Sequence, residues 1–152
     1  MKVILNDGTV REAVSKEEEL HVIKHTAAHV MAQAIKRLYP HADFGYGPAT
    51  EKGFYYDVDL GDKKLNDNDL DAIEKEMKKI TKENLPIKPY ILPREEAIAL
   101  MESRGEKYKV EHIGDLDVTA IAFTGGRSYY VSSFGLTFYN FGDFFKLLRI
   151  RK

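Results

Sequence analysis

A single long helix near the start of the chain constrains the fold most. Ser15 followed by Glu18 has the spacing of an N-terminal capping box, and Pro40 ends a helix that begins there. The apolar residues between these two signals fall on one helical face, and they are Val22, Ala28, Ala32, Ile35 and Tyr39. The sequence therefore predicts a helix over residues 16–39 with one face packed on a core.

The first half of the remaining chain predicts a hairpin, a strand and a second helix. Asn6, Asp7 and Gly8 lie between apolar runs, which is typical of a hairpin turn. Aromatic and polar residues alternate over 53–60, as in a strand. Asn66 or Asp67 caps a predicted helix over 68–83. The buried stripe of that helix is predicted to be Leu70, Ile73, Met77 and Ile80.

The second half predicts more strands around a short helix. Prolines in residues 86–92 indicate an extended edge segment, and Pro93 begins a helix that ends near Arg104, with Gly105 as its cap. Strands are predicted at 108–113, 118–123, 127–132 and 144–150, with Gly125 and Gly126 in a turn. The fold class predicted is α+β, an antiparallel or mixed sheet packed against the long helix, plus two shorter helices.

Composition excludes several classes of function. The 152 residues include no long apolar run, so no membrane span is expected. There is no cysteine, which excludes disulfides and thiolate metal ligands and fits a cytoplasmic location. The net charge is −1, so any contact with RNA requires a local patch or a partner.

Three histidines on the predicted long helix carry the strongest chemical signal. His21, His25 and His29 are four residues apart, which places them along one stripe. Such a pair can share a metal or a substrate group, and neutral imidazole is a common general base. A zinc peptidase needs Glu after the first histidine of the pair, but position 26 is Thr. We therefore expect no metal and no cofactor, while a purely structural role for the stripe stays open.

An ordered series of motifs resembles a known domain. HTAAH at 25–29 is followed by AIKRLYP at 34–40, GP at 47–48 and GFYYD at 53–57. PREEA at 93–97, RGEKYKV at 104–110 and, more weakly, FKLL at 145–148 complete the series. The series resembles the second N-terminal, editing domain of threonyl-tRNA synthetase, which is related to the additional domain of alanyl-tRNA synthetase.

The resemblance implies hydrolysis of the ester that joins serine wrongly to threonine tRNA. It implies catalytic roles for His25, His29 and Lys109, and contact with the aminoacyl-adenosine end of tRNA for Tyr56 and Gly47. It also implies two domains, a hairpin or remnant of a ubiquitin-like domain at 1–20 and an editing-like domain at 21–152.

The chain departs from that family in one half of the motif. The expected Cys-x-x-x-His pair falls on Val131 and Gly135, and a preceding aspartate falls on Tyr129. An alternative alignment places the pair at Leu148 and Lys152, where it is equally absent. Two hypotheses therefore stay open, an aminoacyl-tRNA deacylase and a catalytically silent binding module. The same domain type precedes uridine-kinase-like domains, so the partner domain is expected to be a synthetase or a kinase.

Overall fold

The computed structural model describes residues 1–4, 9–45, 47, 49–84, 89–116, 120–124, 131–132 and 138–139. These residues form four helices and eight short strands. The helices are α1 (Lys16–Leu38), α2 (Asp67–Lys82), α3 (Arg94–Ser103) and α4 (Lys107–Asp115). The strands are β1 (Lys2–Ile4), β2 (Val10–Glu12), β3 (Asp43–Phe44), β4 (Val58–Asp59), β5 (Pro89–Pro93), β6 (Ala120–Thr124), β7 (Val131–Ser132) and β8 (Phe138–Tyr139).

The strands form three small antiparallel sheets, of which the first contacts α1 through β8 and the third contacts α3. Their orders are β2-β1-β8, β3-β4 and β5-β6-β7, so β5 is an edge strand as its prolines predict. β1 and β2 pair as a hairpin with Val3 opposite Arg11, while the predicted turn at 6–8 lies outside the described residues. The predicted α+β class is confirmed. Within the described residues, no helix is both long and apolar enough to cross a membrane.

The long helix begins and ends where its sequence signals predict. The Ser15 hydroxyl accepts the Glu18 backbone N–H at 3.1 Å, and Tyr39 closes the last turn through its N–H to the Ile35 carbonyl at 2.7 Å. Glu18 does not complete a reciprocal capping box. Its carboxylate accepts the Val14 N–H at 2.7 Å and pairs with Arg11 at 2.6 Å, so it joins the helix start to β2.

Helix α2 packs on α1 and closes the main core. Asn66 caps it in a capping box with Asp69. Ile73 and Ile80 are buried as predicted, but Leu70 is 55% exposed and does not belong to the stripe. Leu70 lies in the first turn of α2, where the contact with the end of α1 is made by Asp69, which accepts the Tyr39 hydroxyl at 2.6 Å. The core cluster consists of Val30, Ala32, Ala34, Ile35, Ala42, Phe44, Leu60, Ile73 and Ile80.

The strand predicted at 108–113 is wrong, because these residues belong to α4. Gly105, at φ +69°, turns the chain after α3, and α4 then packs back on α3. Val110 and Ile113 are three apart, which places both on one helical face against Met101. This tertiary contact overrides the strand preference of Val110 and adds a third short helix to the two predicted.

Other strand predictions are confirmed in part. Of residues 53–60, Val58–Asp59 pair with β3, and Phe54 makes one isolated bridge to Ala49. β6 and β7 overlap the strands predicted at 118–123 and 127–132. The turn at 125–126 and the strand at 144–150 lie outside the described residues.

Candidate functional site

Helix α1 brings His25 and His29 into direct contact one turn apart. Their Nε2 atoms are 2.6 Å apart, and the rings meet edge to face with centroids separated by 4.2 Å. In that contact one Nε2 must donate a proton and the other must accept it. The two residues are only 8% and 9% exposed, whereas His21 is exposed and stacks on His25 at 6.4 Å.

Burial keeps both imidazoles of this pair neutral near pH 7. It lowers the pKa of His25 from its ordinary 6.5 to about 4, and the charge of His21 adds to the effect. The pKa of His29 lies well below its ordinary value because of burial, followed by the charges of His25 and Lys109. A neutral imidazole retains a lone pair, so the pair is chemically able to accept a proton.

Tyr56 and Gly47 lie beside the pair. The Tyr56 ring meets the His29 ring at 6.2 Å and packs edge to face on Phe44 at 5.6 Å. A Cβ atom at Gly47 would lie 2.2 Å from Cδ2 of Tyr56, so only glycine lets the backbone approach this ring. Burial, and then the charge of Glu106, raises the pKa of Tyr56 well above its ordinary value, which keeps the phenol protonated.

Lys109 lies on α4, and not on the strand predicted for it. Its side chain is 11% exposed and its Nζ is 2.8 Å from Oε2 of Glu106. The Glu106 side chain is 2% exposed, and Nζ of Lys36 is 3.7 Å from its other oxygen. Burial lowers the pKa of Lys109, while the hydrogen bond to Glu106 acts in the opposite direction.

The five residues singled out in the sequence thus lie in one neighbourhood. The direct contacts join His25 to His29, His29 to Tyr56, and Tyr56 to Gly47. Lys109 is near enough for its charge to lower the pKa of His29. Tyr129 and Gly135, which take positions of the missing half of the motif, lie outside the described residues.

The sequence analysis missed Glu106 and Lys36 in this neighbourhood. The signal for Glu106 was its spacing to Lys109. Residues three apart share a face on a helix but lie on opposite faces of a strand. The wrong strand prediction for 108–113 therefore hid the ion pair.

An open groove of about 580 Å³ lies elsewhere, between α4 and the β3-β4 sheet. It is lined by Gly45, Asp57, Val58, Asp59, Tyr108, Glu111, His112 and Asp115. None of the five predicted site residues lines it. Among the residues that the structure describes, no three His, Asp or Glu side chains are grouped so as to hold a metal ion.

The sequence is similar to several bacterial threonine–tRNA ligases. It is 49% identical over 133 residues to that of Clostridioides difficile, which covers 88% of this chain and 18% of the ligase. It is 44% identical over 149 residues to that of Halalkalibacterium halodurans, covering 96% of this chain and 21% of the ligase. The chain is a domain related to the threonyl-tRNA synthetases. No family model matches it.

This synthetase-related domain spans about a fifth of the length of those ligases. A third relative, from Acetivibrio thermocellus, is 56% identical over 93 residues, or 61% of this chain and 14% of the ligase. The resemblance of the motifs to threonyl-tRNA synthetase is therefore confirmed. The synthetase-related domain has no cysteine, so a Cys-x-x-x-His pair is absent whichever alignment is used.

Proposed function

We propose that this synthetase-related domain recognises the aminoacyl end of tRNA and hydrolyses a mischarged, seryl ester at His25 and His29. The observation that carries the proposal is the contact of two neutral, largely buried imidazoles, 2.6 Å apart at Nε2. Both imidazoles are neutral near pH 7 and have a lone pair that can accept a proton in the transition state, and hydrolysis of an ester requires little beyond an aligned water molecule.

The chemistry assigns a role to each predicted residue. Water attacks the ester carbonyl carbon, and a histidine of the pair takes its proton. The ammonium of Lys109 balances the negative charge that develops on the carbonyl oxygen. The bond to the ribose oxygen then breaks, and the histidine returns the proton to that oxygen. Tyr56 donates its phenol hydrogen to the substrate, and the backbone at Gly47 lies against the aminoacyl group.

A second candidate is a catalytically silent module that binds the same tRNA end. Two observations favour it. His25 and His29 are only 8% and 9% exposed, which leaves little of either imidazole accessible to water or substrate. The chain also lacks the Cys-x-x-x-His half of the motif.

The two candidates are distinguished by the rate at which serine is released from threonine tRNA that has been wrongly charged with it. We expect the wild type to exceed the spontaneous rate by on the order of a hundredfold, the contribution of one general base. His25→Ala should return the rate to the spontaneous one. His41→Gln, which changes an exposed histidine outside the pair, is the matched control and should retain the wild-type rate.

Equal rates for wild type, His25→Ala and the reaction without protein contradict the hydrolase. In that event, titration of uncharged tRNA at several salt concentrations tests the silent module. Saturable binding that weakens with salt supports it, since phosphate contacts release counterions. Absence of saturable binding at low salt contradicts RNA as the ligand.

The cellular context belongs to the same proposal. We assign residues 1–20 to a hairpin or ubiquitin-like remnant and residues 21–152 to the editing-like domain. We place the protein in the cytoplasm, with a synthetase or kinase domain as its partner. Its similarity to threonine–tRNA ligases supports the synthetase context.

A further inference from the structure

A buried carboxylate lies between two lysines from different helices. Glu106, whose side chain is 2% exposed, contacts Nζ of Lys109 at 2.8 Å and Nζ of Lys36 at 3.7 Å. Lys36 comes from α1 and also donates to the Ala42 carbonyl at 2.7 Å, which fixes its position. One carboxylate and two ammonium groups leave this cluster with a net charge of +1.

Aromatic contacts connect this cluster to the histidine pair. Nζ of Lys36 lies 5.8 Å from the centre of the Phe44 ring. Phe44 packs on Tyr56 at 5.6 Å, and Tyr56 meets His29 at 6.2 Å. The charge of Lys109 acts on His29 directly, because it helps to lower the pKa of that imidazole in a setting where charge is only weakly screened by water.

Glu106 opposes the effects of burial, Lys36 and Arg104 on the charge of Lys109. Burial disfavours the ammonium form most strongly, and the positive charges of Lys36 and Arg104 disfavour it further. Glu106 acts against them through both its hydrogen bond and its charge. On the side of the histidine pair, the charge of Lys109 acts on His29, which burial keeps neutral.

We propose that Glu106 is a positioning residue that keeps the ammonium of Lys109 charged and holds it in place through the 2.8 Å ion pair. In the proposed reaction that ammonium faces the carbonyl oxygen of the ester, so the catalytic meaning of this inference rests on the proposed function. The ion pair between Glu106 and Lys109 does not depend on the proposed function, because it is present in the protein without substrate. Glu106 then acts on the substrate only through Lys109.

The pKa of Lys109, measured by NMR on the full chain with ¹³C-labelled lysine, tests this inference without any substrate. Glu106→Gln should lower that pKa by about one pH unit or more, because a close opposite charge is lost. Lys36→Met should raise it, because a like charge is lost. Glu111→Gln, at an exposed position of the same helix, should leave it unchanged.

Glu106→Gln and Lys36→Met are expected to shift the Lys109 pKa in opposite directions. A general loosening of the fold would shift it in the same direction in both variants. If Glu106→Gln does not fold, Glu106→Asp, which keeps the carboxylate but withdraws it from Lys109, should lower the Lys109 pKa, and an unchanged value there overturns the inference. An unchanged Lys109 pKa in Glu106→Gln overturns it, and so does a lowered one in Lys36→Met.

Activity provides a second readout that separates this inference from the proposed function. If the wild type deacylates seryl-tRNA, Glu106→Gln should move the alkaline limb of the pH–rate profile to lower pH. Lys36→Met should move that limb to higher pH. If the wild type has no activity, the proposed function fails, while the pKa measurements still confirm or overturn the role of Glu106.

Discussion

Acid should destabilise this protein through its buried histidines before its carboxylates are protonated. The folded-state pKa of His25 is about 4, against an ordinary 6.5 in an unfolded chain. Below pH 6.5 the unfolded chain therefore takes up a proton that the folded protein does not, and stability falls as the pH falls towards 4. At 1.36 kcal/mol per pH unit, His25 alone removes about 2 kcal/mol between pH 7 and pH 5.

His29 adds to this loss, because burial lowers its pKa as well. The total free energy of unfolding of a small domain is only about 5–15 kcal/mol, so a loss of this size is a large fraction of it. Urea unfolding at pH 7, 6 and 5 measures it directly.

Variants identify the source of the acid effect. His25→Gln should reduce the difference in unfolding free energy between pH 7 and pH 5 by about 1–2 kcal/mol, whatever its stability at pH 7. His41→Gln should keep the full difference, because His41 is exposed. Equal pH dependence in wild type and His25→Gln would refute the reasoning, and so would constant stability of the wild type across this range.

Two further predictions concern packing. Gly47→Ala places a methyl group 2.2 Å from the Tyr56 ring and should cost about 1–3 kcal/mol of unfolding free energy. Gly53→Ala, which meets nothing within 4 Å, should cost less, and urea unfolding of both variants checks the difference. Ile80→Ala, at 2% exposure, should cost about 2–5 kcal/mol. Leu70→Ala on the same helix, at 55% exposure, should cost under about 1 kcal/mol, and equal losses would contradict the assignment of the core.

Local signals predicted the long helix and its histidine pair well. Ser15 is a start signal and Pro40 is a stop signal, and both act within one or two turns, so the boundaries of α1 follow from sequence alone. The contact between His25 and His29 follows from helical spacing once α1 is known. Asn66 and Gly105 marked the limits of α2 and α3 for the same reason.

Features set by tertiary packing were not predictable in this way. Val110 favours a strand by local preference, yet α4 forms because Ile113 is buried against α3. Leu70 matches a helical stripe by spacing but lies outside the packed face. Burial of Glu106 between lysines from α1 and α4 depends on both helices, so no pattern within one segment reveals it.

We propose that an aminoacyl-adenosine binds at His25 and His29. NMR titration with an amide-linked seryl-aminoadenosine, which cannot be hydrolysed, tests it whether or not the domain is an enzyme. The account predicts saturable shifts of the His29 imidazole, the Tyr56 ring and the Lys109 side chain, and none at His41. Unchanged signals from all three groups at millimolar ligand would contradict it.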